Sequence, residues 1–316
     1  MHRTTIEWVR NPDGSPGYTV NRRRMNVAGR EIGPGQPVWC VAELGINHNG
    51  DLATAKRLIM SAKAAGCDAV KFQKRTIDLC YSASVLAAPC ASPWGQTVRA
   101  QKEGLEFDDE AYQEIAAYCA AIAIPWFVSV WDVEAVRFVE RFHLPVVKIP
   151  SALVTHRPVL QAVRALARPV IMSIGMSGLS EIESAVALLE GVPLALLVCT
   201  AAYPCPIEEL HLSRLHTLRR LFPTLTYGYS GHEVGLCSTL VAVAHGAQII
   251  ERHLTLDRSM SGSDQAASVE PHAMAKLVRE IRDAELAMGN GRLERRACEE
   301  KSWRKLRQER PECGTE

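Results

Sequence analysis

The chain has 316 residues, of which 47% are hydrophobic, and a formal net charge of +1 at pH 7. A chain of this length can bury a large core in one barrel or in two small domains. The balanced charge gives no general basis for binding nucleic acid or an anionic membrane. Residues 1–14 lack the apolar core of a signal peptide and no apolar run is long enough to span a bilayer, so we expect a cytoplasmic protein.

The ten cysteines include no C-x-x-C pair. Five of them lie inside apolar segments, namely Cys40, Cys67, Cys119, Cys199 and Cys237. We therefore expect reduced, buried thiols and no structural zinc site. A pairing of Cys199 with Cys205 stays open.

Residues 1–37 form an N-terminal extension. Within it, Asn11-Pro12-Asp13-Gly14 is a typical turn sequence between two short β-prone segments. We predict a β-hairpin that covers the floor of the barrel described next. The run Arg22, Arg23 and Arg24 is interpreted as a solvated surface rather than an anion site.

Residues 38–290 alternate short apolar runs of strand type with longer amphipathic stretches. The predicted strands cover residues 38–43, 69–73, 126–130, 146–150, 170–174, 195–200, 226–230 and 248–253. The predicted helices cover residues 51–65, 107–122, 133–142, 158–166, 179–189, 213–221, 236–245 and 271–286. Repeated βα units of this number predict an α/β fold of the (β/α)₈ TIM barrel class.

Two segments fall outside this repeat. Residues 76–106, with Pro89, Pro93 and Gly95, are predicted as an extended loop after the second strand, of a length that usually serves binding or acts as a lid. Residues 291–316 interleave both charge signs and predict a solvated helix or a frayed, charged tail.

Polar residues close most of the apolar runs, where the active site of such a barrel lies. They are Glu43, Asn47, His48, Lys71, Gln73, Ser129, Asp132, Lys148, Ser151, Ser173, Thr200, Tyr203, Ser230, His232, Glu251 and His253. Lysines supply positive charge for a carboxylate or phosphate, and serine hydroxyls add hydrogen-bond donors. Two neutral imidazoles could hold a divalent metal with open positions, and Glu43 is the candidate to orient or deprotonate a water. The pattern predicts an anionic, phosphorylated substrate and a metal.

Each of these residues also has a structural explanation when it is taken singly. A histidine at a strand end is more often a hydrogen-bonded buried group than a ligand. A lysine there often only pairs with an acid, and serines beside glycine commonly form turns, as in Ser173-Ile174-Gly175. The coincidence of all of them at one end of one barrel favours a site.

Longer motifs carry a family resemblance. They are VAELGINHNG at 41–50, VKFQ at 70–73, VKIPSA at 147–152, MSIGMS at 172–177, VCTAAYP at 198–204, GYSGHE at 228–233 and ERHLTLD at 251–257. In this order and spacing, from about residue 37 to residue 291, the sequence resembles the sialic acid synthase family.

The resemblance implies a barrel that condenses phosphoenolpyruvate with the open-chain aldehyde of an N-acylhexosamine or related aldose. The product would be a 2-keto-3-deoxy sugar acid, with release of phosphate. His232 and His253 match the metal ligands, with Mn²⁺ expected first and Mg²⁺ or Co²⁺ as alternatives, and Glu43 matches the essential acid. The resemblance places around phosphoenolpyruvate the residues Lys71, Ser129, Lys148, Ser151, Ser173 and Ser230, of which both lysines are also expected to be catalytic. The sugar side is expected to include Asn47, Gln73, Tyr203 and Asp264.

The sequence departs from the family pattern mostly on the acceptor side. Gln265 stands where the family usually has histidine, Ala201 replaces a frequent serine, and Ala152-Leu153 replaces a frequent Gly-acid pair. Family members commonly continue into an antifreeze-like domain whose arginine reaches the sugar of the partner subunit, whereas this sequence ends at Glu316. A different aldose, a homodimer, and a separate domain or protein in place of that domain stay open.

Two other functions also stay open. A Schiff-base aldolase or lyase with Lys148 or Lys71 as nucleophile predicts metal-independent activity and borohydride trapping. A non-catalytic barrel that binds a sugar acid or a partner protein would have no need of Glu43 beside a metal pair.

Overall fold

The computed structural model describes residues 6–10, 16–20 and 24–308. The chain begins with an antiparallel hairpin of β1 (Ile6–Arg10) and β2 (Pro16–Val20), in which Trp8 is paired with Tyr18. This pairing confirms the predicted hairpin, and its turn sequence lies outside the described residues. A second antiparallel hairpin, β3 (Met25–Val27) and β4 (Arg30–Ile32), follows.

The second hairpin closes the floor of the barrel. Its buried Met25, Val27 and Ile32 belong to one cluster with Trp39 and Phe127, which stand near the beginnings of their strands. Apolar side chains of the second hairpin thus fill the floor, and the position of the first hairpin over the floor stays a prediction. Three-residue strands are too short to produce a visible alternation in the sequence.

The later strands are β5 (Trp39–Glu43), β6 (Ala69–Lys74), β7 (Pro89–Ser92), β8 (Gly95–Thr97), β9 (Trp126–Val130), β10 (Val147–Ile149), β11 (Val170–Ser173), β12 (Leu194–Cys199), β13 (Thr226–Gly231) and β14 (Ile249–His253). All of these except β7 and β8 form a closed parallel barrel in the order β5, β6, β9, β10, β11, β12, β13, β14. The barrel confirms the predicted (β/α)₈ class. Its strand interiors are buried on both faces, which is why they read as continuous apolar runs.

The helices are α1 (Leu52–Ala64), α2 (Ile77–Cys80), α3 (Ala83–Leu86), α4 (Val98–Leu105), α5 (Asp109–Ala121), α6 (Val133–Arg141), α7 (Arg157–Ala165), α8 (Leu179–Leu188), α9 (Arg214–Leu221), α10 (Cys237–Ala244), α11 (Pro271–Met288) and α12 (Glu300–Trp303). The first of them shows how the sequence sets an element. Asp51 accepts hydrogen bonds from the N–H groups of Ala53 and Thr54 at the start of α1, and Leu58 and Ile59 lie on its buried face. None of the helices in the described part of the chain is long and apolar enough to cross a bilayer.

Residues 76–106 are folded, which corrects the predicted extended loop. They contain α2, α3, the β7–β8 hairpin and α4, and Thr97 caps α4 by accepting from the N–H of Ala100. Trp94 packs so closely on Gly104 that a Cβ there would lie 2.1 Å from a ring carbon. A Cβ on Gly50, in the loop after β5, would lie 2.0 Å from the carbonyl oxygen of Gly104. Two glycines therefore let this segment, which we call the β6–α5 insertion, pack against the barrel mouth.

The described residues end, at the C-terminal side, in an exposed helical segment. It consists of α12 and a π-type turn over Arg304–Gln308, with the guanidinium of Arg295 at 3.9 Å from the Trp303 ring centroid. As far as residue 308 it agrees with the predicted solvated helix.

Every cysteine in the described part of the chain is free. Cys40, Cys67, Cys119 and Cys199 are buried, as expected. Cys237 is exposed, which corrects its assignment to a buried segment, because it is the first residue of α10 and lies at the surface end of that helix.

Candidate active site

A cavity of about 620 Å³ opens at the C-terminal ends of the barrel strands. Its wall includes twelve of the thirteen residues to which the family resemblance gave a role: Glu43, Lys71, Gln73, Ser129, Lys148, Ser151, Ser173, Tyr203, Ser230, His232, His253 and Asp264. The strand register explains this, because Glu43 is paired with Lys71 on one side and with His253 on the other. The parallel order brings residues far apart in sequence to one mouth.

Asn47 is not on the wall of this cavity, and its contact with a sugar stays a prediction. Its side-chain amide donates to the carbonyl of Leu254 at 2.9 Å and to the hydroxyl of Ser268 at 2.7 Å. Asn47 thus ties the loop after β5 to the segment after β14, and its role in the structure is architectural.

Two further strand-end residues also have structural roles. The ring of His48 stacks on Phe107 at 4.2 Å between centroids and accepts the N–H of Gly50, and burial lowers the pKa of this imidazole to about 3. Asp132 caps α6 by accepting from the N–H of Ala135 at 2.8 Å. Neither side chain faces the cavity.

A buried cluster of two ammonium groups and two carboxylates forms the floor of the cavity. Lys71 is ion-paired with Glu43, lies 3.6 Å from a carboxylate oxygen of Glu251, and donates to Ser129 at 2.7 Å. Burial disfavours the charged form of Lys71, but Glu251 and Glu43 outweigh it and raise the pKa of the ammonium. Burial likewise opposes ionisation of Glu251, yet Lys148, Lys71 and His253 hold its pKa at about 2.

Glu251 stood among the polar residues at strand ends and lies on the cavity wall, but the family resemblance gave it no role. The sequence indicates its direction through the period of two in strands, which puts residues 251 and 253 on the same face of β14. Since His253 was assigned to the site, its i−2 neighbour points into the site as well.

Lys148 and three serines complete the polar floor. The Lys148 ammonium donates to Ser173 at 2.6 Å, and burial together with the charge of Lys71 lowers its pKa. Ser230 donates to Glu251 at 3.1 Å, while Ser151 accepts the N–H of Gly175 at 3.0 Å. These hydroxyls are held in place before any substrate arrives.

The two imidazoles lie side by side above this floor. The ring centroids of His232 and His253 are 5.2 Å apart, and the ring of Tyr203 packs on His232 at 4.1 Å. Nδ1 of His232 lies 2.9 Å from the carbonyl oxygen of Thr200, so that nitrogen donates and Nε2 is left free. Nδ1 of His253 lies 3.4 Å from a carboxylate oxygen of Asp264.

A buried ion pair fixes the strands that carry these histidines. Glu233 accepts from the guanidinium of Arg252 at 2.8 Å and from the hydroxyl of Tyr229 at 2.6 Å, all three residues being buried. Glu233 directly follows His232, and Arg252 directly precedes His253. This ion pair therefore sets the spacing of the two imidazoles.

The imidazole pair fits a divalent metal. Burial, with the neighbouring His253, lowers the pKa of His232 to about 4, so this ring is neutral at pH 7 as a ligand must be. A carbonyl on Nδ1 is the usual orienting partner of a metal-bound histidine. No group of three His, Cys, Asp or Glu side chains in the described residues is placed to hold an ion, so other ligands would come from substrate and water.

Arg75 and Trp131 were missed by the sequence analysis. The guanidinium of Arg75 lies 4.2 Å from the Trp131 ring centroid and donates to Gln73, whose amide donates to Glu43 at 2.9 Å. The predicted strand ended at residue 73, whereas β6 runs to Lys74 and so delivers Arg75 to the mouth.

The departures from the family pattern are divided between the wall and the layer behind it. Ala152 and Ala201 line the cavity. Gln265 is buried behind it, where its amide accepts from Thr255 and donates to the carbonyl of Asn47 at 3.3 Å. Only the two alanines therefore alter the surface that a substrate meets.

The chain is an enzyme of the class that condenses phosphoenolpyruvate with sugars, because residues 58–293 match the NeuB family. It belongs to this family.

Known relatives and a solved structure agree with this membership. The chain is 36% identical over 275 residues to N-acetylneuraminate-9-phosphate synthase of Mus musculus, covering 86% of this chain and 77% of the mouse protein. It is 38% identical over 261 residues to N,N'-diacetyllegionaminic acid synthase of Campylobacter jejuni, covering 79% and 77% respectively. The crystal structure of the N-acetylneuraminic acid synthetase from Leptospira borgpetersenii superposes with a TM-score of 0.80 at 30% identity, covering 92% of this chain and 99% of that one.

Proposed function

We propose that this chain condenses phosphoenolpyruvate with an N-acylhexosamine or a related aldose, giving a 2-keto-3-deoxy sugar acid and phosphate. The observation that carries the proposal is the single cavity in which a buried Glu43–Lys71–Glu251–Lys148 cluster lies beside two imidazoles. The relatives are named for different sugar acids, so their names support the reaction type and leave the acceptor to be argued from this site.

The polar floor of the cavity suits phosphoenolpyruvate. Lys71 and Lys148 would hold the carboxylate and phosphate of phosphoenolpyruvate, with hydroxyls from Ser129, Ser173 and Ser230 as further donors. The two ammonium charges are balanced by Glu43 and Glu251, so binding a trianion here calls for additional positive charge.

A divalent ion would meet that need. His232 and His253 would hold Mn²⁺ or a similar ion, which supplies positive charge and polarises the aldehyde oxygen of the sugar. Two observations support this assignment: Nε2 of His232 is free, and Nδ1 of His253 makes no hydrogen bond, although it lies 3.4 Å from Asp264.

The bond changes follow from the two substrates. C3 of phosphoenolpyruvate attacks the aldehyde carbon, forming the C–C bond, and the aldehyde oxygen takes up a proton. Water adds to the cationic C2, and its proton is lost as a tetrahedral intermediate forms. The bond from C2 to the phosphate oxygen then breaks, the C2 hydroxyl gives its proton to the departing phosphate, and the 2-keto group is left.

Glu43 is placed to handle that water. Its carboxylate is fully buried, is ion-paired with Lys71, and accepts the amide of Gln73 at 2.9 Å. A carboxylate held on both sides has a fixed direction toward the cavity, as water positioning or proton abstraction requires.

The sugar side is the wall formed by Gln73, Tyr203 and Asp264. The half-exposed ring of Tyr203 lies over His232, and Asp264 lies beside His253. Both residues would therefore contact an aldose whose aldehyde is next to the imidazoles.

The proposal is tested by phosphate release from phosphoenolpyruvate with Mn²⁺ and a panel of aldoses led by N-acetylmannosamine. We expect release that requires both an aldose and a metal, that stops with EDTA, and that is lost in His232→Ala and His253→Ala. His216→Ala removes an exposed histidine of α9 and should leave the rate unchanged. Tight phosphoenolpyruvate binding without turnover of any sugar would overturn the proposal.

The Schiff-base alternative is tested on the same protein. The lowered pKa of Lys148 is the feature that would favour it. We expect no adduct at Lys148 or Lys71 when borohydride is added with phosphoenolpyruvate or pyruvate, by mass spectrometry of the intact protein. Metal-independent turnover with a reduced adduct would support the aldolase instead.

A further inference from the structure

Two histidines meet on the outer surface of the molecule, away from the cavity. His216 lies in the first turn of α9 and is exposed, and His245 is the half-buried residue that directly follows α10. Nε2 of His216 lies 2.5 Å from Nδ1 of His245, with the ring centroids 4.6 Å apart and the ring planes at 78°. Neither ring is on the cavity wall. The chain therefore has a second pair of adjoining imidazoles besides His232 and His253.

The two facing nitrogens are close enough to share one hydrogen. In a pair of neutral imidazoles, one ring nitrogen donates this hydrogen and the other accepts it. A zinc ion in place of the hydrogen would lie about 2.0–2.1 Å from each nitrogen, which sets the two nitrogens about 3 Å apart. The pair would have to open by about half an ångström to reach this geometry. Because the side chain of His216 is exposed, its ring can make that movement without disturbing the core.

The donor atoms select the kind of ion. No third His, Cys, Asp or Glu among the described residues joins the two rings, so water would complete the coordination. Imidazole nitrogens suit Zn²⁺, Cu²⁺ and Ni²⁺, whereas Mn²⁺ stands at the low end of the affinity order of divalent metals. The pair therefore favours a different ion from the one expected in the cavity.

A neighbouring charge limits the affinity of this pair for a cation. A Cβ on Gly246 would lie 2.8 Å from Nη1 of Arg219, so this guanidinium lies against the residue that follows His245. Its positive charge opposes a metal ion between the rings. We therefore expect an ion that binds weakly and exchanges with solvent.

The position of the pair gives the ion a structural consequence. The helices α9 and α10 carry one ring each, and both helices contact β13. The strand β13 ends at Gly231, directly before His232. A metal held by both rings would tie together the two helices that pack on this strand.

We propose that His216 and His245 form a second metal site, which binds a divalent transition ion of the zinc type and clamps α9 to α10. The site lies outside the catalytic cavity, and the proposal does not depend on the reaction proposed above. A single shared ion replaces one hydrogen bond between the rings with two metal–nitrogen bonds.

The test is equilibrium dialysis of the metal-free protein against Zn²⁺, followed by elemental analysis. We expect wild type to bind one more zinc ion per chain than His216→Ala and one more than His245→Ala. His272→Ala removes an exposed histidine of α11 and should bind as much zinc as wild type. The same difference of one ion should separate His253→Ala from His253→Ala/His216→Ala, which distinguishes this site from the cavity.

Two further readouts locate the ion between the rings. At a Zn²⁺ concentration of about ten times the Kd, the melting temperature of wild type should rise by roughly 2 °C more than that of His216→Ala. Arg219→Gln should tighten zinc binding roughly threefold, since it removes the opposing charge. Equal zinc content in wild type and both single variants, or loss of the ion in only one of them, would overturn the proposal. Weaker binding in Arg219→Gln would place the ion elsewhere and would also overturn it.

Discussion

Glu43 is the residue on which the proposed chemistry depends most. It sits at the end of β5 with its carboxylate fully buried, between the ammonium of Lys71 and the amide of Gln73. We expect Glu43→Gln to lower kcat by roughly 10²- to 10⁴-fold, since the amide keeps the size but cannot take a proton. Steady-state phosphate release measures this.

The matched control for Glu43 is Glu114→Gln. Glu114 is a half-exposed partner of Lys56 on the outer surface, so its loss should change kcat by less than about twofold. A Glu43→Gln enzyme with kcat near that of wild type would contradict the water-handling role.

A buried histidine away from the cavity gives a pH-dependent stability. The pKa of His48 is lowered by burial from 6.5 to about 3, so the unfolded chain binds a proton on this ring at pH values where the folded chain does not. The contribution of this neutral ring to the stability of the fold is complete above pH 6.5 and is lost as the pH falls toward 3.

The size of this effect can be measured with a variant. Between pH 7 and pH 5 the His48 ring should account for about 2 kcal/mol of lost stability. We expect His48→Gln to show a smaller loss than wild type over this range in urea unfolding, although its stability at pH 7 is lower. An identical pH dependence in the two proteins would show that His48 is not a buried neutral ring.

At the residue scale, strand-end position predicted the wall of the cavity well. It failed for Asn47, because the loop after β5 turns this side chain toward Leu254 and Ser268. It also overlooked Arg75, whose placement depends on one more residue of β6 than the apolar run suggested. Both cases depend on loop geometry, which the pattern of apolar residues does not encode.

The β6–α5 insertion is the element that the sequence described least well. Its prolines and glycine favoured a loop, and helices as short as Ile77–Cys80 and Ala83–Leu86 show no periodicity. In the structure this insertion supplies Lys102 and Leu105 to a small chamber of about 80 Å³, which shares Gln73 and Asp264 with the main cavity. We therefore expect the packing of this insertion to affect binding of the sugar rather than binding of phosphoenolpyruvate.

A glycine in α4 tests this relation. Alanine is the better helix former by about 1 kcal/mol, but a Cβ at residue 104 would lie 2.1 Å from the Trp94 ring, so α4 or the ring must move. We expect Gly104→Ala to raise the KM for the sugar on the order of tenfold, with the KM for phosphoenolpyruvate unchanged. Glu103→Ala, an exposed neighbour that loses only its pair with Arg99, serves as the control. A KM for the sugar in Gly104→Ala equal to that of wild type would show that the packing of the insertion does not affect sugar binding.

The whole molecule divides its tasks between the two ends of the barrel. The eight strands and their order followed from the alternation of apolar runs and amphipathic stretches. The β3–β4 hairpin on the barrel floor did not follow from this pattern, because Met25, Val27 and Ile32 lie on strands of three residues. Polar groups gather at the opposite end, where the strands finish.

Ile32 tests this division. It is fully buried in the floor cluster, so Ile32→Ala should lower the free energy of unfolding by roughly 2–5 kcal/mol. Glu31→Ala, on the same strand but facing solvent, should change it by less than about 0.5 kcal/mol. Guanidinium unfolding measures both. The KM values of folded Ile32→Ala should match wild type, and a large change in them would contradict the separation.

The central claim is that water attacks C2 of phosphoenolpyruvate after a C–C bond to the sugar has formed, in the cavity that holds Glu43, His232 and His253. The most direct measurement is the reaction in ¹⁸O-labelled water with Mn²⁺ and an accepted aldose, followed by ³¹P NMR of the phosphate and mass spectrometry of the product. We expect unlabelled phosphate, because the C2–O bond breaks, and one sugar acid for each phosphate released. Label in the phosphate, or release of phosphate without formation of a sugar acid, would contradict the claim.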